Sequence, residues 1–481
     1  MAKSLLKDYI NGRSCDILGL GVSNLPLANK LLSLEANITV HDKKDVSALG
    51  EGAVALADKG VKFVCGNGCF DNLDAELIFR SPGIRPDIDG INRATLRGAE
   101  LTSEIELFLQ LTDAETFAIT GSDGKTTSTT LTGLFLDAES DRRRSGKVFV
   151  GGNIGEPLLY KLDDIGAGDR AVMELSSFQL MTLKKAPKFA AITNISPNHL
   201  DWHGVMDEYI TAKKNIVGEN TERLVTNAES APTKEIARSI SKSENRPAIY
   251  LFSSKKTSFG EIFDFPVTER DRAVYISDGY IVISDGKSEE KILKTDSIKI
   301  PGTHNAENFM TAIALTYGSV DPSVYPLVAE SFFGVKHRLE LVRTLEGVDY
   351  YNSSIDSSPS RTAAALSALS GRDIVIICGG YDKKIPYEPL AEALCAHVRA
   401  VVLTGATASK IEIALHNCPS YSVGKPEYVM ADNFEDAVNK ARSLAKDGGC
   451  VLLSPASASF DAFKNFAERG DTFCNIVKNF K

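Results

Sequence analysis

Short runs of apolar, β-favouring residues that end in glycine punctuate this chain, and each is followed by a stretch with helical spacing. DILGLG at 16–21, FAITG at 117–121, DIVIICGG at 373–380 and AVVLTG at 400–405 are the clearest. Continuous apolar strands alternating with amphipathic helices predict parallel sheets covered on both faces, an α/β class. Ligands in such folds sit outside the strand C-termini, where these glycines fall. Between about 221 and 300 the pattern changes to short strands and turns, and the Asp-Gly pairs of AVYISDGYIVISDGK predict hairpins. The segment Glu139–Lys147, ESDRRRSGK, reads as an exposed loop between a helix and the strand VFVGG, with its arginine triplet a solvated turn. Three domains follow from this pattern: 1–103, 104–334 beginning at the helix EIELFLQLT, and 335–481 with its own glycine-ended strands. A length of 481 residues agrees, at about 100–200 residues per domain.

Composition narrows the function. Hydrophobic residues are 43% and charged residues 24%, which is ordinary for a globular chain. Lysine plus arginine is 54 and aspartate plus glutamate 63, so the net charge is 54 − 63 = −9, which argues against a nucleic-acid partner. Anionic substrates must then be held by local devices: helix N-termini, glycine loops, a few placed cations and metal ions. MAKSLLKDYINGRSCDILGLG has no apolar core before a cleavage site, and no run approaches the roughly 18 apolar residues of a membrane helix. The eight cysteines are scattered; Cys65 and Cys69 lack a second pair at ligand spacing, so reduced thiols are expected. The expectation is a soluble cytoplasmic protein without membrane insertion.

The most informative motif is Gly121-Ser122-Asp123-Gly124-Lys125-Thr126-Thr127, placed after the strand FAIT and before a helix. Successive backbone N–H groups and a helix N-terminus would surround a polyphosphate, with Lys125 on the β/γ-phosphates and the Thr126 hydroxyl on Mg²⁺. The general phosphate-loop pattern has glycine where this chain has Ile119, so a plain glycine-rich turn is the rival reading of the segment. Strand context and the GKTT run favour ATP.

That shortened loop resembles the ATP site of the Mur ligase superfamily, and further segments match the same family in order. Glu174, in VMELSSFQL, resembles its magnesium-holding carboxylate. Asn194-Ile-Ser-Pro-Asn-His-Leu-Asp-Trp-His203 is similar to its N-x-x-x-x-H-L-D-x-H signature, which implies His199 as a second metal ligand. Tyr209-Ile-Thr-Ala-Lys213 matches Y-x-x-A-K, whose lysine is carbamylated in these ligases. A carbamate gives a hard cation an anionic oxygen where an ammonium would be repelled. Gly302-Thr-His-Asn-Ala-Glu-Asn308 resembles G-x-H-N-x-x-N and implies nucleotide contacts from His304, Asn305 and Asn308. Val335-Lys-His-Arg-Leu-Glu340 matches H-R-x-E, which implies that Arg338 reaches ATP phosphates upon domain closure. The resemblance therefore implies ATP, two Mg²⁺ ions held through Thr126, Glu174, His199 and Lys213, and catalytic roles for Lys125, Glu174, His199, Lys213 and Arg338. Taken singly, Lys213 reads as a surface charge, His199 as a capping or core histidine, Glu174 as a buried pair and HRLE as a helix-start salt bridge.

The terminal segments resemble the branch that adds D-glutamate to UDP-N-acetylmuramoyl-L-alanine. Leu18-Gly-Leu-Gly-Val-Ser-Asn24 follows a strand and is followed by Asp42; alone, G-x-G-x-S is a weak dinucleotide fingerprint. The resemblance implies a UDP-sugar site made by Gly19, Gly21, Val22, Ser23, Asp42, Lys43, Ser81, Gly83, Asn153, Ser176 and Gln179. The run Leu453-Ser-Pro-Ala-Ser-Ala-Ser-Phe-Asp-Ala-Phe-Lys-Asn-Phe-Ala-Glu-Arg-Gly470 resembles the branch's C-terminal signature, with Ser457 where cysteine is usual. It implies Ser459 and Phe466 as D-glutamate contacts, joined by Lys383 and Ser357. A helix start capped by Ser459 and packed through Phe460, Phe463 and Phe466 is compatible with the same residues. The implied architecture is a Rossmann-like first domain, a P-loop-type central ATPase domain and a Rossmann-like third domain, in a monomer forming an amide through an acyl phosphate. A ligase for another amino acid or for folate fits neither terminal signature.

One segment departs from the pattern. The family usually has N-D-S-x-A-[ST] where this chain reads Asn352-Ser-Ser-Ile-Asp-Ser357. Ser353, implied to face the nucleotide, supplies no negative charge. Asp356 either compensates or repels the substrate carboxylate, and the departure motivates a rival reading as a non-catalytic, substrate-binding paralogue.

Overall fold

The computed structural model describes residues 5–21, 24–300, 302–422 and 424–481. Three sheets organise it, each mostly parallel as the glycine-ended apolar strands predict. The first comprises β1 (Ser14–Leu18), β2 (Asn37–Asp42), β3 (Lys62–Cys65), β4 (Leu77–Arg80) and β5 (Glu100–Thr102), in the all-parallel order β3-β2-β1-β4-β5. The order reverses at β1, so its switch point lies between β1 and β4.

The second sheet has β6 (Glu115–Thr120), β7 (Val148–Gly152), β8 (Arg170–Glu174), β9 (Phe189–Ile192), β10 (Arg223–Asn227), β11 (Ala248–Phe252), β12 (Arg272–Ser277), β13 (Tyr280–Ser284) and β14 (Glu289–Lys294). Their order is β14-β13-β12-β11-β10-β9-β6-β8-β7. Only the β12–β13 and β13–β14 pairings are antiparallel. Asp278 (φ 49°) and Gly279 (φ 75°) make the predicted hairpin turn, the positive pair that a tight right-twisted hairpin requires.

The third sheet has β15 (Glu340–Leu345), β16 (Val348–Asn352), β17 (Ile374–Cys378), β18 (Ala400–Leu403), β19 (Glu427–Met430) and β20 (Cys450–Leu453), ordered β15-β16-β20-β17-β18-β19 with β15 antiparallel.

The chain divides into two compact units: one runs to Ser297 and resumes over Thr303–Glu330, and the other combines Ile298–Gly302 with Ser331–Lys481. In the first unit a continuous apolar core extends from Ile17, Leu27 and Phe79 through Phe108 and Leu159 to Met173 and Ile192. Two sheets therefore share one interior. The helix Glu104–Leu111 contributes Ile105, Leu107, Phe108 and Leu109 to that interior and buries Glu104 as well, whose carboxylate accepts from Leu159 N–H at 2.7 Å. In the second unit the sheet is covered on both faces by separate clusters, one around Ile376 and Leu452 and the other around Val375 and Val451.

Two local expectations are corrected. The 139–147 segment is not all loop, because the helix Lys125–Arg143 continues through its first half. Glu139 is fully buried and accepts from both Arg142 and Arg143, so two of the three arginines neutralise an interior carboxylate rather than a solvated turn. In the C-terminal signature the helix begins at Phe466, capped by Asn465 through Glu468 N–H, not at Ser459. All eight cysteines are free thiols. Among the described residues no helix is long and apolar enough to cross a membrane.

Candidate functional site

The phosphate-type loop sits at the C-terminal end of β6, between its neighbours β8 and β9. Its two glycines are required by shape as well as by backbone angle. Gly121 has φ 148°, and a Cβ there would collide with Thr193 Oγ1; Gly124 has φ 78° and would collide with Asn308 Oδ1. Asn194 Oδ1 accepts from Asp123 N–H at 3.0 Å, and Thr193 Oγ1 donates to the Asp123 carbonyl at 2.5 Å, so the end of β9 braces the loop. Ser122 Oγ pairs with Tyr209 Oη at 3.0 Å. The helix Lys125–Arg143 starts at Lys125 itself, with Thr126 and Thr127 in its first turn, so that N-terminus points at the space above the loop. Lys125 Nζ folds back onto the Gly121 and Ser122 carbonyls at 3.0 and 2.9 Å.

Three predicted metal-shell residues gather beside this loop. Lys213, on the helix Met206–Lys214, is 1% exposed, which overturns its reading as a surface charge. Its Nζ donates to the Gly121 carbonyl at 2.7 Å and lies 4.5 Å from the Tyr209 ring centre. Burial, with the Lys125 charge adding to it, pushes its pKa down to about 6. Glu174 ends β8, also 1% exposed: one oxygen accepts from Asn153 Nδ2 at 2.8 Å, and the other is buried with no partner. An unpaired buried carboxylate oxygen is costly, and a cation is the group that would satisfy it. His199 is exposed at φ 55°, edge-on to Phe178 at 5.0 Å, with its pKa lowered by partial burial and then by Lys125. Among the described residues no three His, Cys, Asp or Glu side chains form a ready-made metal cage. The Glu174 oxygen without a partner is the observation here that fits a cation.

Asn305 and Asn308 lie on the helix Thr303–Thr316, and Asn308 covers Gly124 and accepts from Ser128 Oγ at 3.3 Å. These two asparagines are joined at 3.0 Å, while His304 is exposed. The second asparagine of the motif thus braces the loop.

At the first sheet's switch point, Gly19 (φ 76°) packs against Ser81 and Ile84, bringing two predicted UDP-sugar segments together. Asp42 Oδ2 accepts from Leu20 N–H at 2.9 Å and Oδ1 from Lys44 N–H at 2.9 Å, while Lys43 is exposed. Lys43 opens onto a cleft of about 430 Å³ lined also by Gly66–Asp71 and Asp87–Gly90. Val22 and Ser23 lie outside the described residues. Ser176 and Gln179 form a capping box on the short helix Ser177–Leu180.

Three residues that the sequence reading missed tie these loops to the metal segment. Buried Arg80 donates to the Pro82 and Ile84 carbonyls at 3.2 and 2.6 Å and to the Phe178 carbonyl at 2.8 Å. Arg85 reaches the Trp202 carbonyl at 2.8 Å and Glu208 at 2.7 Å, and Trp202 Nε1 donates to the Gly83 carbonyl at 3.3 Å. The available signal was an arginine ending the apolar strand LIFR and the chain's single tryptophan inside the histidine motif.

The second unit gathers its own predicted set at the C-terminal ends of β16, β17 and β20. Lys383 Nζ lies 3.1 Å from Ser357 Oγ. Ser459 is buried, and the Phe466 carbonyl accepts from Ser354 Oγ at 2.8 Å. Arg469, also missed, is 2% exposed and spends its N–H groups on Ser354 Oγ and the Ser354, Ser457 and Ala458 carbonyls at 2.9–3.2 Å. It moulds the 454–459 loop. Arg338 lies on the turn before β15; His337 and Glu340 of the same motif both contact Asn352, at 2.9 and 3.0 Å, so they staple that turn to β16. Ser353 Oγ is buried and accepts from Leu339 N–H at 3.1 Å.

Comparison with known proteins agrees with this geometry. Residues 119–316 match the Mur ligase middle domain, and 337–457 match the glutamate ligase domain of Mur ligases. The UDP-N-acetylmuramoylalanine–D-glutamate ligase of Ruminiclostridium cellulolyticum is 43% identical over 480 residues, covering 99% of this chain and 98% of that protein. This chain belongs to the Mur ligase family. Other Mur ligases with the same name align end to end: that of Acetivibrio thermocellus at 43% identity and that of Clostridium perfringens at 40%, each over 98% of both chains. A solved Mur ligase, the UDP-N-acetylmuramate–alanine ligase of Thermotoga maritima, covers 98% of this chain and 100% of its own with a TM-score of 0.55. At 21% identity that likeness concerns the fold alone.

Proposed function

We propose that this Mur ligase joins D-glutamate to the alanyl carboxylate of UDP-N-acetylmuramoyl-L-alanine, driven by ATP, in the synthesis of peptidoglycan precursors. The observation that carries the reading is the convergence at one strand switch point of a glycine loop, a buried carboxylate with one oxygen unpartnered and a buried, easily deprotonated lysine, in a chain 43% identical end to end to ligases bearing that name. The domain roles follow: 1–103 holds the UDP-sugar, 104–334 binds ATP, and 335–481 receives the amino acid and supplies Arg338. The same reading takes the enzyme as a cytoplasmic monomer.

A carboxylate is too poor an electrophile for an amine, so the alanyl carboxylate must first be converted to an acyl phosphate by attack on the ATP γ-phosphorus. Backbone N–H groups of 124–126, at the helix N-terminus, hold the phosphates, and Lys125, released from the Gly121 and Ser122 carbonyls, turns its charge onto them. Thr126, Glu174, His199 and Lys213 would hold the Mg²⁺ ions, which supply Lewis-acid stabilisation of developing phosphoryl charge. A lysine pushed to about 6 is mostly free amine at neutral pH. In that form it adds to CO₂, forming an N–C bond and releasing one proton, and the product is an anionic oxygen ligand. Lys383 and Ser357 then orient the D-glutamate carboxylate so that its amine attacks the acyl carbon and phosphate leaves.

The test is phosphate release from ATP with the UDP-sugar and Mg²⁺, comparing D-glutamate, L-glutamate and no amino acid. Release that requires D-glutamate, with the amide product seen by mass, is expected. Equal release in all three arms, or binding without release, would overturn the reading in favour of a hydrolase or a non-catalytic paralogue.

A further inference from the structure

Arg338 is carried on a strained turn. His337 and Leu339, on either side of it, have φ of 64° and 43°. Side-chain-bearing residues hold such angles only where their surroundings over-determine them. Part of that constraint is local: Glu340 Oε2 accepts from His337 N–H at 2.9 Å, and the His337 carbonyl accepts from Ile355 N–H at 3.2 Å. The rest comes from the one segment that breaks the family pattern. Ser353 Oγ accepts from Leu339 N–H at 3.1 Å, which leaves its own proton to donate toward the Asp356 carboxylate, and Asp356 N–H donates to the Ser353 carbonyl at 3.0 Å, which holds the two residues together. Asp356 Oδ2 also accepts from Ser454 Oγ at 2.8 Å, immediately after β20. A continuous relay thus runs from the turn, through the serine hydroxyl and the carboxylate, to the end of the central strand of the sheet. Asp356 is 6% exposed: burial raises its pKa, and the Ser353 and Ser454 hydroxyls, then the charges of Arg338 and Arg361, act against that rise. A buried carboxylate is costly to keep, and a neutral acceptor would serve the two hydroxyls equally well.

We propose that Asp356 is a positioning residue for Arg338, bracing the strained turn through the Ser353 hydroxyl and directing the guanidinium with its own charge. This rests on the reading above only in taking Arg338 as the cation aimed at the nucleotide phosphates. The two side chains of the relay touch, so a carboxylate at position 353 would accept from Leu339 N–H directly and occupy nearly the same place. The pair 353/356 therefore needs one carboxylate, at either position.

The experiment compares the full-length wild type with Asp356→Ala, Asp356→Asn and the exchange Ser353→Asp/Asp356→Ala. It reads kcat/KM for ATP against KM for the UDP-sugar and, independently of turnover, the rate of tryptic cleavage after Arg338, located by mass. Asp356→Ala is expected to lose about 100-fold in kcat/KM for ATP, the scale of a misplaced catalytic group, with the UDP-sugar KM unmoved and cleavage accelerated. Asp356→Asn should restore protection from cleavage but not kcat/KM, because it keeps the hydrogen bonds and loses the charge. The exchange should restore both. Wild-type kinetics and cleavage in Asp356→Ala, or an exchange variant no better than Asp356→Ala, would overturn the proposal. If Asp356→Ala does not fold, the asparagine and exchange variants decide by the same criteria. If the wild type itself shows no D-glutamate-dependent release, the functional reading falls, and the cleavage rates still decide whether Asp356 holds the turn.

Discussion

Lys213 Nζ donates to the carbonyl of Gly121, the first residue of the phosphate-type loop, across 2.7 Å. The contact places an amine from the helix Met206–Lys214 directly beneath the loop, where water is excluded and a second cation, Lys125, stands close. Both effects oppose protonation, so the amine is held in its nucleophilic form.

Carbamylation should therefore follow pH with a definite sign. The folded pKa of about 6 lies below the ordinary lysine value of 10.5. Above about 6 the amine is free to add CO₂, and below it protonation blocks the addition. Activity is expected to fall as pH drops through that value, and a ¹³C carbamate resonance should appear with labelled CO₂ at pH 8 and vanish in Lys213→Arg. The same depression means the unfolded chain binds the proton more tightly between 6 and 10.5. Across that window the stability contributed by Lys213 rises with pH, which Lys213→Met should flatten in denaturant titrations.

Glu174→Gln keeps the side-chain oxygen that accepts from Asn153 while removing the charge whose second oxygen has no partner. A fall in kcat of about 100-fold or more is expected, with the Mg²⁺ dependence shifted to higher concentration. The melting temperature should hold or rise, because an unsatisfied buried carboxylate has gone. A variant with unchanged Mg²⁺ dependence would remove Glu174 from the metal shell.

Gly124→Ala places a methyl against Asn308 Oδ1 at a φ of 78°. The left-handed backbone alone costs an alanine roughly 1 kcal/mol, and the collision displaces the asparagine that covers the loop. ATP binding by calorimetry should weaken at least tenfold, about 1.4 kcal/mol. Adding Asn308→Ala should recover only part of this, since it relieves the collision and leaves the backbone strain.

Arg85→Ala cuts the ties to Trp202 and Glu208 that hold the 81–85 loop against the histidine segment. The expected signature is a KM for the UDP-sugar raised about tenfold with the KM for ATP unchanged, since the loss falls on one substrate's loop. Equal changes in both would mean that the staple supports the whole unit instead.

Arg469→Lys should cost about 2 kcal/mol and raise the KM for D-glutamate. Lysine has three donors on a flexible stem in place of a planar five-donor fork, and the Ser457 and Ala458 carbonyls lose partners in a buried place. Thermal denaturation and steady-state kinetics check the two halves of this prediction.

The α/β class and the strand ends were legible because parallel strands are apolar along their length and glycine marks where the chain must turn over a ligand. The Asp278-Gly279 hairpin was legible for the same local reason. What could not be read were side chains whose role is set by tertiary surroundings. Lys213 stands next to Lys214 in a polar stretch; the Y-x-x-A-K resemblance singles it out, but only packing shows that it is buried. Arg80 looks like a charge closing a strand, yet its terminal N–H groups donate to carbonyls of the 81–84 loop and of the short helix Ser177–Leu180. The rival reading of the C-terminal run put the helix cap at Ser459, six residues early, because a serine before a phenylalanine run offers a good cap. Asn465 offers an equally good one, and the extended angles there (φ −161°, ψ 174°) decide between them. Asp356 read equally as a compensation for Ser353 or as a threat to an anionic substrate, and its hydroxyl partners became visible only when β16 and β20 were seen side by side.

The apolar interior shared by the first two sheets has a consequence for how this molecule can be taken apart. A fragment beginning at residue 104 would strip the helices Leu5–Ile10 and Asn24–Ser33 from the segment Leu159–Asp164, leaving Leu159 and Leu162 of that interior open to water. The first hundred residues are thus not a detachable module added to an ATPase. They are one side of a fold that closes only when both sides are synthesised, so loss of the sugar-nucleotide side would leave an aggregating remnant rather than a free-standing nucleotide-binding domain.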